Sequence, residues 1–178
     1  MLFRSDDSIN VFSDLRVTSA GQTLFTNTNV SASIGSKRIY GIFPYFRSVL
    51  FINDYGVYAL VGSTTSKISD NLDGVFPNID FTLPVTGGQV LLNNILCAAF
   101  NVTYNDPSLG ARQVQLVFFD KKWFVTSQGS INYITSAPVS GLINLYGVAD
   151  KTIYKLYGSS TAAVNSTIKT ALMPLGDP

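Results

Sequence analysis

Short apolar runs broken by polar turns fill the chain from one end to the other. Three segments repeat one pattern: Asp54-Tyr-Gly-Val57-Tyr58-Ala-Leu60, Asp120-Lys-Lys-Trp123-Phe124-Val-Thr126 and Asp150-Lys-Thr-Ile153-Tyr154-Lys-Leu156. Each opens on an Asp that predicts a tight turn. Three positions later comes a β-branched or aromatic residue, then an aromatic, then alternation. Each also follows an apolar run: Val49-Leu50-Phe51-Ile52, residues 114–119 and residues 143–148. Two such runs joined by a short polar turn predict a β-hairpin, and the hairpin is written three times.

Further strands are predicted at 9–12, 15–18, 23–26, 38–42, 79–83, 89–92, 96–104, 131–135 and 166–173. Asn, Ser, Gly and Pro punctuate them. Residues 63–78 fit one helical turn or a long connection. Asp120 and Asp150 stand 30 residues apart and Asp54 and Asp120 stand 66 apart, so a middle copy is expected near residue 87. Gly87-Gly88 supplies a turn signal there without the Asp. The runs 96–100 and 114–119 are apolar without alternation, as strands covered on both faces require. The fold class predicted is all-β, built of antiparallel hairpin repeats and β-propeller-like, with a β-sandwich as the alternative. Residues 1–47 read as the short-strand N-terminal part of that domain and 48–178 as the repeated, blade-like region. The ending Pro174-Leu-Gly-Asp-Pro178 fits a piece of a longer protein as well as it fits a natural terminus with an extended tail.

Composition agrees with the pattern. Of 178 residues, 46% are apolar and 13% charged, all eleven acidic residues are Asp, and His is absent. Glu favours helices, so its absence points to strands. The net charge of +1 projects no long-range field toward nucleic acid or anionic membrane. The basic doublets are Lys37-Arg38 and Lys121-Lys122, and the second sits in a hairpin turn and reads as solvated charge. The start of the chain becomes charged too soon for a secretory signal, and no apolar run is long enough to span a bilayer. Residues 29, 101 and 165 head N-glycosylation triplets, which an Asn-, Ser- and Thr-rich chain produces by chance.

Catalytic chemistry finds little to work with. A hydrolytic triad needs a base titrating near neutrality, and there is no His. Most Asp residues sit in turns, where they cap their own backbone. Zinc would need several Cys and His ligands, whereas Cys97 stands alone inside an apolar strand and reads as a buried, inert thiol. Asp70, Asp73 and Gly74 lack the alternating acidic spacing of a calcium loop and read as a structural turn. No catalytic residue, metal site or cofactor is assigned. Asp54, Asp120 and Asp150 are assigned as turn residues, and Tyr58, Trp123, Phe124 and Tyr154 as core aromatics. Tyr40, Phe43, Tyr45 and Phe46 surround Pro44 and form a candidate ligand or interface patch.

The stretch Val114-Gln-Leu-Val-Phe-Phe-Asp120-Lys-Lys-Trp123-Phe124-Val125, followed by Leu142-Ile-Asn-Leu-Tyr-Gly147-Val-Ala-Asp150-Lys-Thr-Ile153-Tyr154, resembles the propeller portion of tail hub, nozzle and packaged-DNA-stabilisation proteins of short-tailed bacteriophages. Residues 49–73 resemble an earlier blade of the same proteins. The likeness covers residues 48–178 and rests on hairpin patterns. It implies a structural virion protein, made in the host cytoplasm, forming a ring of identical subunits with other virion proteins around the DNA exit channel. Contact with DNA would be non-specific. The alternative expectation is a carbohydrate- or receptor-binding β module with an exposed aromatic shelf.

Overall fold

A computed structural model of the chain describes residues 2–5, 8–127 and 130–158, with side chains from residue 8 onward. The described residues are all-β, with only three short 3-10 turns beside the strands. The first sheet comprises β1 (Leu2–Ser5), β2 (Ser8–Val17) and β3 (Thr23–Ser31). The second comprises β4 (Ile42–Tyr45), β5 (Ser48–Asn53), β6 (Gly56–Val61) and β7 (Thr64–Lys67). The third holds β8 (Thr86–Leu92), β9 (Ile95–Asp106), β10 (Gly110–Phe119) and β11 (Lys122–Thr126). The fourth holds β12 (Tyr133–Val139), β13 (Leu142–Ala149) and β14 (Thr152–Leu156). In every sheet each strand pairs antiparallel with its neighbour in sequence, with no crossover.

This topology corrects the phase of the repeat. The second, third and fourth sheets begin at Ile42, Thr86 and Tyr133, so the unit is 44 and then 47 residues long. Asp54 and Asp150 each lie between the second and third strands of their sheet, but Asp120 lies between the third and fourth. The in-phase counterpart in the third sheet is Asp106, at the end of β9. Gly87-Gly88 is not a turn. It lies within β8, and the chain reverses at Asn93-Asn94, where Leu92 faces Ile95.

Smaller differences have local causes. The strands expected at 9–12 and 15–18 are one strand, Ser8–Val17, with an irregularity in its pairing where Asp14 takes φ 52°. Residues 39–41 form a 3-10 turn because the Gly41 N–H donates to the Arg38 carbonyl. Residues 79–83 are not a strand. Asp80 accepts hydrogen bonds from the N–H and hydroxyl of Thr82, which curls the chain, and only Ile79 bridges to Tyr104. Residues 63–78, expected as one helical turn or a long connection, instead begin with strand β7 (Thr64–Lys67), which pairs with β6, and then hold two 3-10 turns, Asp70–Leu72 and Phe76–Asn78. The strand predicted at 166–173 lies outside the described residues.

Three apolar clusters join consecutive sheets. Ile9 and Val30 of the first sheet meet Phe51, Tyr58 and Leu60 of the second. Phe43, Leu50, Ile52 and Val57 of the second meet Ala98, Phe100, Val102 and Leu116 of the third. Val90, Cys97, Ala99 and Val117 of the third meet Ile134, Leu145 and Leu156 of the fourth. The third sheet is therefore covered on both faces. Even-numbered residues of β9 turn one way and odd-numbered residues the other, which is why 97–103 is buried without interruption.

Candidate functional site

The first strands β4, β8 and β12 of three successive sheets lie side by side and enclose an open groove of about 840 Å3. Among the described residues each pairs on one edge only, and residues of all three strands line the groove. Pro44 and Pro138 interrupt the hydrogen-bonding capacity of β4 and β12, which suits free edges. In β8, a Cβ on Gly87 would collide with the Phe43 ring, and one on Gly88 would collide with the Ser136 hydroxyl and Leu145. Glycine here lets two neighbouring sheets close on one strand.

Hydroxyls stitch the groove together. Ser136 Oγ accepts from the Gln89 N–H and donates to the Gln89 carbonyl at 2.8 Å. Thr86 Oγ1 accepts from the Ile134 N–H at 2.9 Å. Gln89, Thr135, Tyr40 and Tyr133 complete the lining, and among the described residues none that lines it carries a charge. Tyr40 is 66% exposed and Tyr133 47% exposed, and the register places the Tyr133 side chain on the outer face of the fourth sheet beside Val148.

The predicted patch around Pro44 divides. Tyr40 is exposed on the 3-10 turn before β4 and borders the groove, and Phe43 turns inward against Phe100 at 5.0 Å. The Tyr45 hydroxyl donates to the Leu96 carbonyl at 2.8 Å and ties the second sheet to the third. Phe46 is 73% exposed, takes φ 52° just beyond β4, packs edge-on against Tyr45 at 4.8 Å and does not line the groove with Tyr40. These residues therefore do not form one shelf. Gln89, Tyr133 and Ser136 belong to the groove and were not singled out from sequence, because only the stacking of sheets brings them to Tyr40.

The other assigned residues also divide. Tyr58 stacks on Phe51 at 5.5 Å. Trp123 packs on Phe118 at 5.0 Å, and its Nε1 donates to the Ile68 carbonyl at 2.7 Å. Phe124 and Tyr154 are not core aromatics. They are 46% and 48% exposed, because β11 and β14 are the outermost described strands of their sheets and are covered less fully than the middle ones. Asp120 and Asp150 each open a two-residue turn with φ 45° and 46°. Asp54 lies in its turn without positive φ and pairs with Arg38 at 2.9 Å, while Asn53 Oδ1 receives the Tyr55 N–H. Asn101, head of one glycosylation triplet, is buried and donates to the Ile131 carbonyl.

Electrostatics push the perturbed groups away from neutrality. Burial raises the Tyr45 hydroxyl, with the Cys97 thiol adding to the effect, and burial also raises Cys97 and Tyr157. The bond to Asp73 raises Lys67. The Thr82 bonds lower Asp80, and the Ser108 and Leu109 N–H groups together with Arg112 lower Asp106. Among the described residues no three His, Cys, Asp or Glu side chains gather as a metal site. No helix among them is long and apolar enough to cross a membrane. No family model matches the chain, and no curated protein matches it significantly.

Proposed function

We propose that the chain is a structural assembly module of a virion, a run of propeller-type blades like those of tail hub and nozzle proteins, working through association rather than catalysis. The observation that carries this reading is the outer face of the fourth sheet. Leu145, Gly147 and Ala149 turn toward the third sheet, so Tyr146 and Val148 turn away from it. They share that outer face with Val139, Leu142 and Ile153, which are 46%, 53% and 70% exposed. An apolar sheet face normally lies against another layer.

Blade geometry supports the finer reading. Units of 44 and 47 residues, each an antiparallel meander with its first strand beside the first strands of its neighbours, suit blades about an axis. Low net charge suits a channel through which DNA slides without being gripped. The direction of the pKa shifts supports a role without acid–base chemistry, since general catalysis needs groups drawn toward neutrality.

Light scattering over a series of protein concentrations tests the proposal, since a specific interface is expected to bury more than about 1,000 Å2. An oligomer is expected, falling to monomer mass in a Leu142→Asp, Ile153→Asp double variant that retains its β spectrum. A wild-type monomer, or an oligomer indifferent to the double substitution, rejects it.

A further inference from the structure

The stack of sheets has a direction, and its two ends differ. Resting on the association reading above, we propose that the layer covering the outer face of the fourth sheet is the first sheet of a second copy of this chain, so that copies associate head to tail. The hairpins β5–β6 and β13–β14 are one unit written twice, 96 residues apart: Asp54, Tyr58, Leu60 and Gly62 recur as Asp150, Tyr154, Leu156 and Gly158. The register recurs as well. Val49 opposite Leu60 through Asn53 opposite Gly56 becomes Leu145 opposite Leu156 through Ala149 opposite Thr152. Val49, Phe51 and Leu60 turn back toward the first sheet, and their counterparts Leu145, Gly147 and Leu156 turn back toward the third. Leu50, Ile52 and Val57 turn forward and are covered by the third sheet. Their counterparts Tyr146, Val148 and Ile153 turn forward too, yet Val57 is 0% exposed and Ile153 70%. The fourth sheet thus repeats a face that elsewhere in the chain lies under a following sheet.

Every junction between the described sheets sets a forward face against a backward face, and the first sheet alone leaves its backward face without a described neighbour sheet. On that sheet Ile9 and Val30 turn toward the second, so the backward face carries Asn10, Phe12, Phe25, Asn27 and Asn29. Direct contacts confirm the grouping: Phe12 and Phe25 meet edge to face at 4.8 Å, and Asn29 donates to Asn10. Phe25 is 55% exposed. Charge favours the same pairing. Lys155 lies opposite Tyr146 and therefore on the outer face of the fourth sheet, while β12, β13 and β14 contain no acidic residue. Two fourth sheets set face to face would bring two Lys155 cations into one contact with no carboxylate between them, which is costly. The first sheet instead offers the amide oxygens of Asn27 and Asn29 as acceptors. Residues 159–178 number fewer than half of one 44- to 47-residue unit, so they do not amount to a further sheet of the same kind.

Mixing variants of the full chain provides the test, read as solution mass over a series of concentrations. Wild type should grow beyond a dimer, because a head-to-tail contact leaves a free face at each end until a ring closes. Phe25→Asp and Asn27→Lys, both at exposed positions of the first sheet, should each be monomeric while keeping the wild-type circular dichroism. The Leu142→Asp, Ile153→Asp variant should be monomeric as well. An equimolar mixture of a first-sheet variant with the fourth-sheet variant should form a species of about twice the monomer mass and nothing larger, since each supplies the face that the other lacks. Tyr55→Asp, at an exposed turn elsewhere, should assemble as wild type does. A monomeric wild type overturns this arrangement together with the association reading. A wild type that stops at a dimer, first-sheet variants that still assemble, or a mixture that stays monomeric overturns the head-to-tail arrangement alone.

Discussion

Gly87 and Gly88 sit where the third sheet is gripped from both sides, Gly87 under Phe43 and Gly88 under Ser136 and Leu145. Gly87→Ala should therefore destabilise the protein by about 1–3 kcal/mol, the cost of overpacking a closed core. Gly74→Ala, at a position with open space and no positive φ, should be close to neutral. Urea denaturation of the two variants side by side measures the difference. At the junction of the third and fourth sheets the Tyr157 hydroxyl donates to Gln115 Oε1, and Gln115 is 1% exposed. Tyr157→Phe should cost about 1–3 kcal/mol, because it strands a buried amide oxygen. Asp106 carries a pH signature. Its lowered pKa means that the folded chain holds fewer protons there than the unfolded chain. The stabilisation is therefore complete above the ordinary value of 3.8 and drains away as pH falls below it. In Asp106→Asn the melting temperature should fall less steeply between neutral pH and the acid limb than in the wild type. Parallel slopes would show that the carboxylate does not contribute.

The elements were legible where both partners of a pairing lie close in sequence. The three Asp-turn hairpins exist as β5–β6, β10–β11 and β13–β14, since a two-residue reversal and alternating flanks need only local information. Their turns nonetheless differ. Asp120-Lys121 and Asp150-Lys151 both hold two successive positive φ angles, whereas Asp54-Tyr55 holds none. Lysine in the left-handed region is strained and glycine is not. Lys121→Gly and Lys151→Gly should each raise stability by up to about 1 kcal/mol, while Tyr55→Gly should lower it. Thermal melts of the three variants would expose the contrast, and a uniform response would contradict these turn geometries. Asn93-Asn94 and Ser140-Gly141 are further reversals with two positive φ angles, and the first falls in the gap between the strands expected at 89–92 and 96–104, although the turn signal was read at Gly87-Gly88. Short-range reading could not know that those glycines serve packing. The strand expected at 79–83 failed for a related reason: its apolar residues pack as a connection, and Asp80 satisfies the backbone locally.

For the molecule as a whole, four meanders stacked face to face make each internal sheet a shared wall. Ser136 bonds both the N–H and the carbonyl of Gln89 and so clamps the fourth sheet to the third. In Ser136→Ala, amide exchange should accelerate throughout β12–β14 and remain slow in β5 and β6, because the lost bonds loosen one junction rather than the whole fold. A uniform acceleration would mean that the sheets unfold as one unit. The same stacking explains what happened to the candidate site. Tyr40 was singled out as part of a candidate ligand or interface patch, but Gln89 and Tyr133, which line the groove with it, are 49 and 93 positions away. Nothing in a sequence window links them. The mistaken aromatics have the same origin: Phe124 and Tyr154 alternate like core residues but lie on outermost strands.

What the sequence determined by itself was the kind of material: strands rather than helices, antiparallel reversals at short polar turns, and a middle sheet covered on both faces. Those properties follow from dihedral preference and side-chain alternation, which act over a few residues. The tertiary structure alone decided which hairpins share a sheet, that Asp106 rather than Asp120 occupies the in-phase turn, and which aromatics meet solvent. It also created the groove, because three free strand edges from different sheets come together only when the faces beside them are buried, and that burial is a long-range event.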